Sequence, residues 1–180
     1  MTTTDAALDV TGPDQLDALR ADLVEVYSDA YAERIAASEF YSTDRYWSRI
    51  TGYATRPGFT LATARRGHTM IGYALGFTLA ANAAWWEDLR TPVDPDDIRE
   101  DGHRTFAVCE LMVRPDQRGR GYGHGLHDAL LARRPEQRAT LLVRPDNPVR
   151  DAYLRWGWRV LGRNQPYPDS PVYDAMVRDL

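Results

Sequence analysis

Cysteine is almost missing from this chain: Cys109 is the only one in 180 residues. A lone thiol closes no internal disulfide, and no Cys/His cluster has metal-ligand spacing, so no metal is expected. No stretch approaches the roughly 20 apolar residues of a membrane-spanning helix, and no membrane partner is expected. The opening Met1-Thr-Thr-Thr-Asp-Ala-Ala-Leu8 lacks the basic region and apolar core of a secretory signal, which leaves the cytoplasm as the expected setting. Excess positive charge is missing too. With 22 basic and 26 acidic residues the net charge is −4, the opposite of the basic face of a general nucleic-acid binder. Repeats and low-complexity linkers are likewise absent. What remains is an ordinary globular composition, 43% hydrophobic and 27% charged, expected to form a single domain over residues 1–180.

The most informative segment is Glu110-Leu-Met-Val-Arg-Pro-Asp-Gln-Arg-Gly-Arg-Gly-Tyr-Gly-His-Gly125. A strand-like run, Phe106–Val113, leads into a glycine-packed turn and then into a helix-like run, Leu126–Ala132. Gly119, Gly121 and Gly123 let the backbone approach a ligand closely, and a helix start behind them presents bare N–H groups and the positive end of the macrodipole. Such a turn suits a phosphate or pyrophosphate, with Arg118 and Arg120 adding charge. The bland reading is a flexible glycine linker, which the strand–turn–helix setting disfavours. A dinucleotide fold needs G-x-G-x-x-G, but counting from Gly119 puts His124 at the third glycine, and counting from Gly121 puts Leu126 there. A P-loop needs a lysine, and the turn has none.

Along the rest of the chain, Leu8–Val10 reads as a short strand. Pro13 and Asp14 open a helix whose apolar residues step by three and four to about Ala36. Thr43 and Asp44 can cap a second helix ending near Gly52. Phe59–Ala64 and Met70–Leu79 read as a hairpin around Gly67, and residues 82–104 as an insertion rich in Trp, Pro and acids. After the strand at 105–113 come a helix at about 121–134, a strand at 140–143, a helix at about 149–156, and final strands at 158–161 and 172–177. The series β-α-α-β-β-β-α-β-α-β-β predicts an α/β fold with a mixed sheet and helices on both faces.

The glycine turn resembles the acyl-CoA signature of the GNAT superfamily of N-acyltransferases, R/Q-x-x-G-x-G/A, which Arg118, Gly121 and Gly123 fill. A second block is also similar: the apolar strand Thr140–Val143, then Asn147, Tyr153, Gly157 and Trp158, with Trp where the family has Phe. The Asn-to-Tyr separation is one residue short of the usual, so Asp146 or Asn147 holds the loop position. The resemblance implies a mainly antiparallel sheet of six to seven strands and acetyl-CoA as co-substrate. It also implies a small-molecule or peptide amine as acceptor, and it leaves room for a homodimer. CoA would be held by Leu111, Met112 and Val113 through backbone N–H groups, by Arg118, Gly119, Arg120, Gly121, Tyr122, Gly123 and His124 in the turn, and by Asn147.

Glu110 interrupts an otherwise apolar strand, where a carboxylate must be solvated, paired or raised in pKa. Amine acylation needs a base, and the resemblance gives Glu110 that role; the alternative is a structural Glu paired with an Arg. Tyr153 takes the family's place for the acid that protonates the leaving thiolate, or else only packs against CoA. His127 is expected on an exposed helical face, and Cys109 as a small core residue facing away from Glu110. In the insertion, Trp85 and Trp86 with seven acids either bind a cationic amine by cation–π attraction or form a solvated loop pinned by one Trp; Tyr27, Tyr31 and Trp47 would add aromatic surface for the acceptor. Two rivals stand outside the enzyme class: a non-catalytic acyl-CoA-binding module of the same fold, and an Arg-Gly RNA-binding protein, which the charge disfavours.

Overall fold

The computed structural model describes residues 6–168 and 170–180. Its strands form a seven-stranded, mostly antiparallel sheet in the order β1-β2-β3-β4-β5-β7-β6, with β1 at Ala7–Thr11, β2 at Thr60–Arg66, β3 at Thr69–Thr78, β4 at Thr105–Val113, β5 at Arg138–Val143, β6 at Arg159–Asn164 and β7 at Tyr173–Asp179. The helices are α1 at Arg20–Ala30, α2 at Ala32–Ala37, α3 at Thr43–Ala54, α4 at Tyr122–Leu131 and α5 at Val149–Arg155. The expected mixed fold is therefore present. Packing divides the chain into two compact units.

The first unit comprises the residues up to Phe77 together with Glu110–Ala132. In it β1, β2 and β3 pair antiparallel, with a register shift at Ala64/Arg65. Both faces of β2 and β3 are buried: Leu61, Ala62, Thr63 and Ala64 of β2 and Met70, Tyr73 and Leu75 of β3 belong to the interior, as do Leu23, Val26 and Ile50 of the helices. Gly72 is required by a close approach: a Cβ there would stand 2.6 Å from the Met112 carbonyl oxygen and 3.2 Å from the Val113 Cα. The single long helix expected to reach Ala36 is instead a 3₁₀ turn at Pro13–Gln15, then α1, a break at Tyr31, and α2. Near the break, the Ser28 hydroxyl donates to the Val24 carbonyl at 2.8 Å, a bond that competes with the helical ladder and favours bending. The cap of α3 lies one residue earlier than expected, at Ser42, whose Oγ accepts from the Arg45 N–H at 3.4 Å.

The second unit comprises Thr78–Cys109 and Arg133–Leu180. Here β4 pairs parallel with β5 over a short register, from Thr105↔Arg138 to Val108↔Leu141, while β5 and β6 both pair antiparallel with β7. Gly157 takes φ +87° directly after α5, the left-handed turn for which glycine is suited.

The insertion is more than a loop pinned by one residue. Its Trp86 is 6% exposed and donates Nε1–H to Glu100 Oε1 at 2.9 Å. That oxygen also accepts from Thr105 Oγ1 at 2.8 Å and from Arg138 Nη2 at 3.1 Å. Leu89, Thr91 and Val93 pack over Gly162 of β6. All 22 basic residues of the chain are arginines, so every Lys/Arg ion pair here is made by a guanidinium. No helix among the described residues is long and apolar enough to cross a membrane.

Candidate active site

In the first unit, α3 delivers Arg49 to Glu110 of β4. Arg49 Nη2 donates to Glu110 Oε1 at 2.9 Å and Nε to the same oxygen at 3.2 Å. The Glu110 side chain is 10% exposed and that of Arg49 33%. Burial pushes the Glu110 carboxyl above the ordinary carboxylate range, and Arg49 opposes that rise. Burial works against the Arg49 charge, but Glu110, together with Tyr53 and Tyr27, outweighs it and keeps the guanidinium protonated. The alternative of a Glu paired with an Arg is thus what the geometry contains, in a setting where the carboxyl titrates unusually high.

Tyrosines surround this pair. The ring of Tyr27 stacks on Tyr46 at 4.0 Å and on Tyr31 at 5.0 Å. Tyr46 donates its hydroxyl to Tyr73 at 2.8 Å, and Tyr73 donates to Met112 Sδ at 3.2 Å. Burial raises all four phenols, Tyr31 to about 12, and the Glu110 charge adds to each rise. They stay protonated at neutral pH. The result is a nearly enclosed carboxylate with one cationic neighbour and a wall of neutral phenols, a low-dielectric setting suited to a proton acceptor.

Arg49, Tyr46 and Tyr73 were missed in the sequence. Tyr27, expected as acceptor-facing surface, is fully buried, and its hydroxyl donates to the Tyr41 carbonyl at 2.9 Å. Trp47 does face a groove of about 370 Å³, lined also by Asp17, Arg20 and Asp44, with the Arg20 guanidinium 5.1 Å from its ring.

The glycine turn follows β4. After a 3₁₀ turn at Pro115–Gln117, Gly119 and Gly121 take φ of +74° and +85°, left-handed values suited to glycine. Gly121 is the N-cap of α4 and, being glycine, offers no side-chain oxygen of its own to the first N–H groups of the helix. A Cβ on Gly123 would meet only the Val113 side chain, at 3.9 Å. Arg118 and Arg120 are exposed, and Arg118 Nε folds back to the Val113 carbonyl at 3.2 Å. Arg114, by contrast, is committed to structure, donating to the Met70 carbonyl at 2.7 Å and pairing with Glu25 and Asp29. Tyr122 can contribute only main chain to a ligand at the turn, because its ring is buried and its hydroxyl accepts from Arg66. His124 is exposed, but His127 is 1% exposed, correcting the expectation of a solvated position: α4 buries its 122/126/127/130/131 stripe.

In the second unit, Asn147 Oδ1 accepts from the Val149 N–H at 3.1 Å and so helps start α5, while the Asp146 carboxylate is held by Arg144 at 2.6 Å. Tyr153 is 6% exposed, with its ring edge-on to Trp156 at 5.6 Å and to Trp158 at 5.9 Å. The parallel register of β4 ends at Val108, before Glu110.

The model of the Acetyltransferase (GNAT) family matches residues 20–158. No curated protein matches the sequence. Solved structures do match in fold: PH1933 from Pyrococcus horikoshii OT3, 17% identical with a TM-score of 0.69, covers 97% of this chain and 99% of its own. An acetyltransferase from Thermus thermophilus is 16% identical over the whole of both chains, with a TM-score of 0.64. The PaiA N-acetyltransferase from Thermoplasma acidophilum, solved in complex with coenzyme A, is 16% identical with a TM-score of 0.57, covering 97% of this chain and 99% of its own. The chain belongs to the GNAT acetyltransferase family, and with it to the CoA-dependent acyltransferases.

Proposed function

We propose that the protein is a cytoplasmic N-acetyltransferase that moves an acetyl group from acetyl-CoA to a primary amine by direct attack, with Glu110 as the general base. The observation that carries this reading is the buried Glu110 carboxylate, raised in pKa and walled by neutral phenols. In the reaction the amine nitrogen attacks the thioester carbonyl carbon, the new C–N bond forms and the C–S bond breaks. The proton lost by nitrogen goes to Glu110, directly or through water, and the thiolate takes a proton for which Tyr153 is the proposed donor. CoA supplies the activated acyl group. Backbone N–H groups of Leu111, Met112 and Val113 would hold the carbonyl and pantetheine, and the glycine-led start of α4, with Arg118, Gly119, Arg120, Gly121, Tyr122, Gly123 and His124, would hold the pyrophosphate. Between Asp146 and Asn147, the Arg144 pairing of Asp146 favours Asn147 as the loop residue facing CoA.

One observation favours the second reading, a non-catalytic acyl-CoA-binding module: Glu110 is ion-paired, as a structural carboxylate would be. Release of free CoA from acetyl-CoA over a panel of amines, peptides and aminoglycosides separates the two. Amine-dependent release is expected; tight CoA binding with no release across the panel would leave the binding module.

A further inference from the structure

His124, His127 and Asp128 stand at spacings of three and four along α4, and so share one side of the helix. The Asp128 carboxylate lies between the two imidazoles, with Oδ1 2.9 Å from His127 Nδ1 and Oδ2 3.4 Å from His124 Nε2. One ligand atom from each residue falls within 4.8 Å of the others. We propose that these three side chains form a site for a divalent transition metal such as Zn²⁺ or Co²⁺.

The donor set argues for that class of ion. Two imidazole nitrogens with one carboxylate suit Zn²⁺, Co²⁺ or Ni²⁺, whereas Mg²⁺ and Ca²⁺ favour all-oxygen shells. Burial differs usefully among the three. His127 is 1% exposed and fixed among the core-facing residues of α4, while the His124 and Asp128 side chains are 50% and 57% exposed. The buried ring anchors the ion, the outer two side chains close on it, and water fills the open positions. A tetrahedral ion with bonds of roughly 2.0–2.1 Å holds neighbouring ligand atoms about 3.3 Å apart. Rotation of the two exposed side chains is the adjustment that such an ion would require. The metal site uses the His124 imidazole, whereas a pyrophosphate at the start of α4 needs only a backbone N–H from that position, so the two stand or fall separately.

The test uses the full, untagged chain after treatment with a chelator. Titration with Co²⁺ should give one bound ion per chain, with a visible absorption band that Zn²⁺ displaces. His124→Ala and Asp128→Asn should each weaken binding by roughly tenfold or more, as loss of a metal-orienting group does. His68→Ala and His103→Ala, at histidines elsewhere in the chain, should leave it unchanged. Both ligand residues are half exposed, so metal-free melting should be unaffected. No stoichiometric Co²⁺ binding, or binding that survives both ligand substitutions, overturns the proposal.

Discussion

Arg49 holds Glu110 by one oxygen: its Nε and Nη2 both donate to Oε1, at 3.2 and 2.9 Å, instead of forking across the carboxylate. The guanidinium therefore bonds to only one of the carboxylate's two oxygens, and under the proposed reaction Oε2 is the atom that would accept the proton.

The pH dependence follows from that grip. The base must be ionised, and burial raises Glu110, so the rate of acetylation should climb with pH through a value above the ordinary carboxylate range. Glu110→Gln should lower kcat by roughly 10² or more with acetyl-CoA affinity nearly intact. Arg49 opposes the rise, so Arg49→Met should move the acid limb to higher pH, and Arg49→Lys should restore part of the difference. A pH–rate profile identical in wild type and Arg49→Met would remove Arg49 from any role in setting the base. The same direction bears on stability. A carboxyl with a raised folded pKa favours the fold below its unfolded value, and that contribution fades as pH climbs through the folded one.

Acetyl-CoA should stabilise the fold by about 2.7 kcal/mol at 100 times its dissociation constant. Gly123→Val should abolish this shift in melting temperature. A Cβ at Gly123 meets only Val113 at 3.9 Å, so an added side chain there intrudes chiefly on the space intended for the ligand. Gly121→Val should do the same but also destabilise the free protein, because Gly121 sits at φ +85°. Equal melting shifts for wild type and Gly123→Val would place the pyrophosphate elsewhere.

Tyr153→Phe should lower kcat less than Glu110→Gln does, since a thiolate can also take its proton from water. The ring packs edge-on to Trp156 and Trp158, and phenylalanine keeps that packing. Stopped-flow release of CoA at high pH is the sensitive measurement: an unchanged rate there would reduce Tyr153 to a packing residue.

Trp86 is a poor probe of acceptor choice. Trp86→Ala should cost about 3–5 kcal/mol, because it opens a cavity and removes the Nε1 donor from buried Glu100. Neutralising Asp94, Asp96 and Asp97 together should leave melting nearly unchanged and raise KM for a cationic acceptor, the more so at low salt. An unchanged KM at every ionic strength would separate these acids from the acceptor.

Legibility in the sequence followed the range of the interactions. The bounds of β4, 105–113, were read correctly, and the hairpin and glycine turn nearly so, because alternation and glycine punctuation are local signals. The helix drawn through Ala36 ignored Ser28, whose hydroxyl competes with the ladder. His127 was misplaced although Leu131, four residues on, continues its buried stripe. The partnership of Arg49 with Glu110 spans 61 positions, and nothing local to either says which helix face meets which strand. The insertion's two tryptophans likewise read alike in the sequence; only packing shows that Trp86 belongs to a buried network with Glu100, Thr105 and Arg138.

The all-arginine basic set has a consequence for experiment. Arginine carries no primary amine, so the chain offers an activated acetyl group no ε-amino target of its own. Slow self-labelling of lysines, which can masquerade as turnover when an enzyme waits with acetyl-CoA, has no substrate here. In an intact-mass measurement, acetyl groups gained by a lysine-bearing peptide mixed with this protein can be assigned to that peptide's ε-amines without correction for lysines in the catalyst.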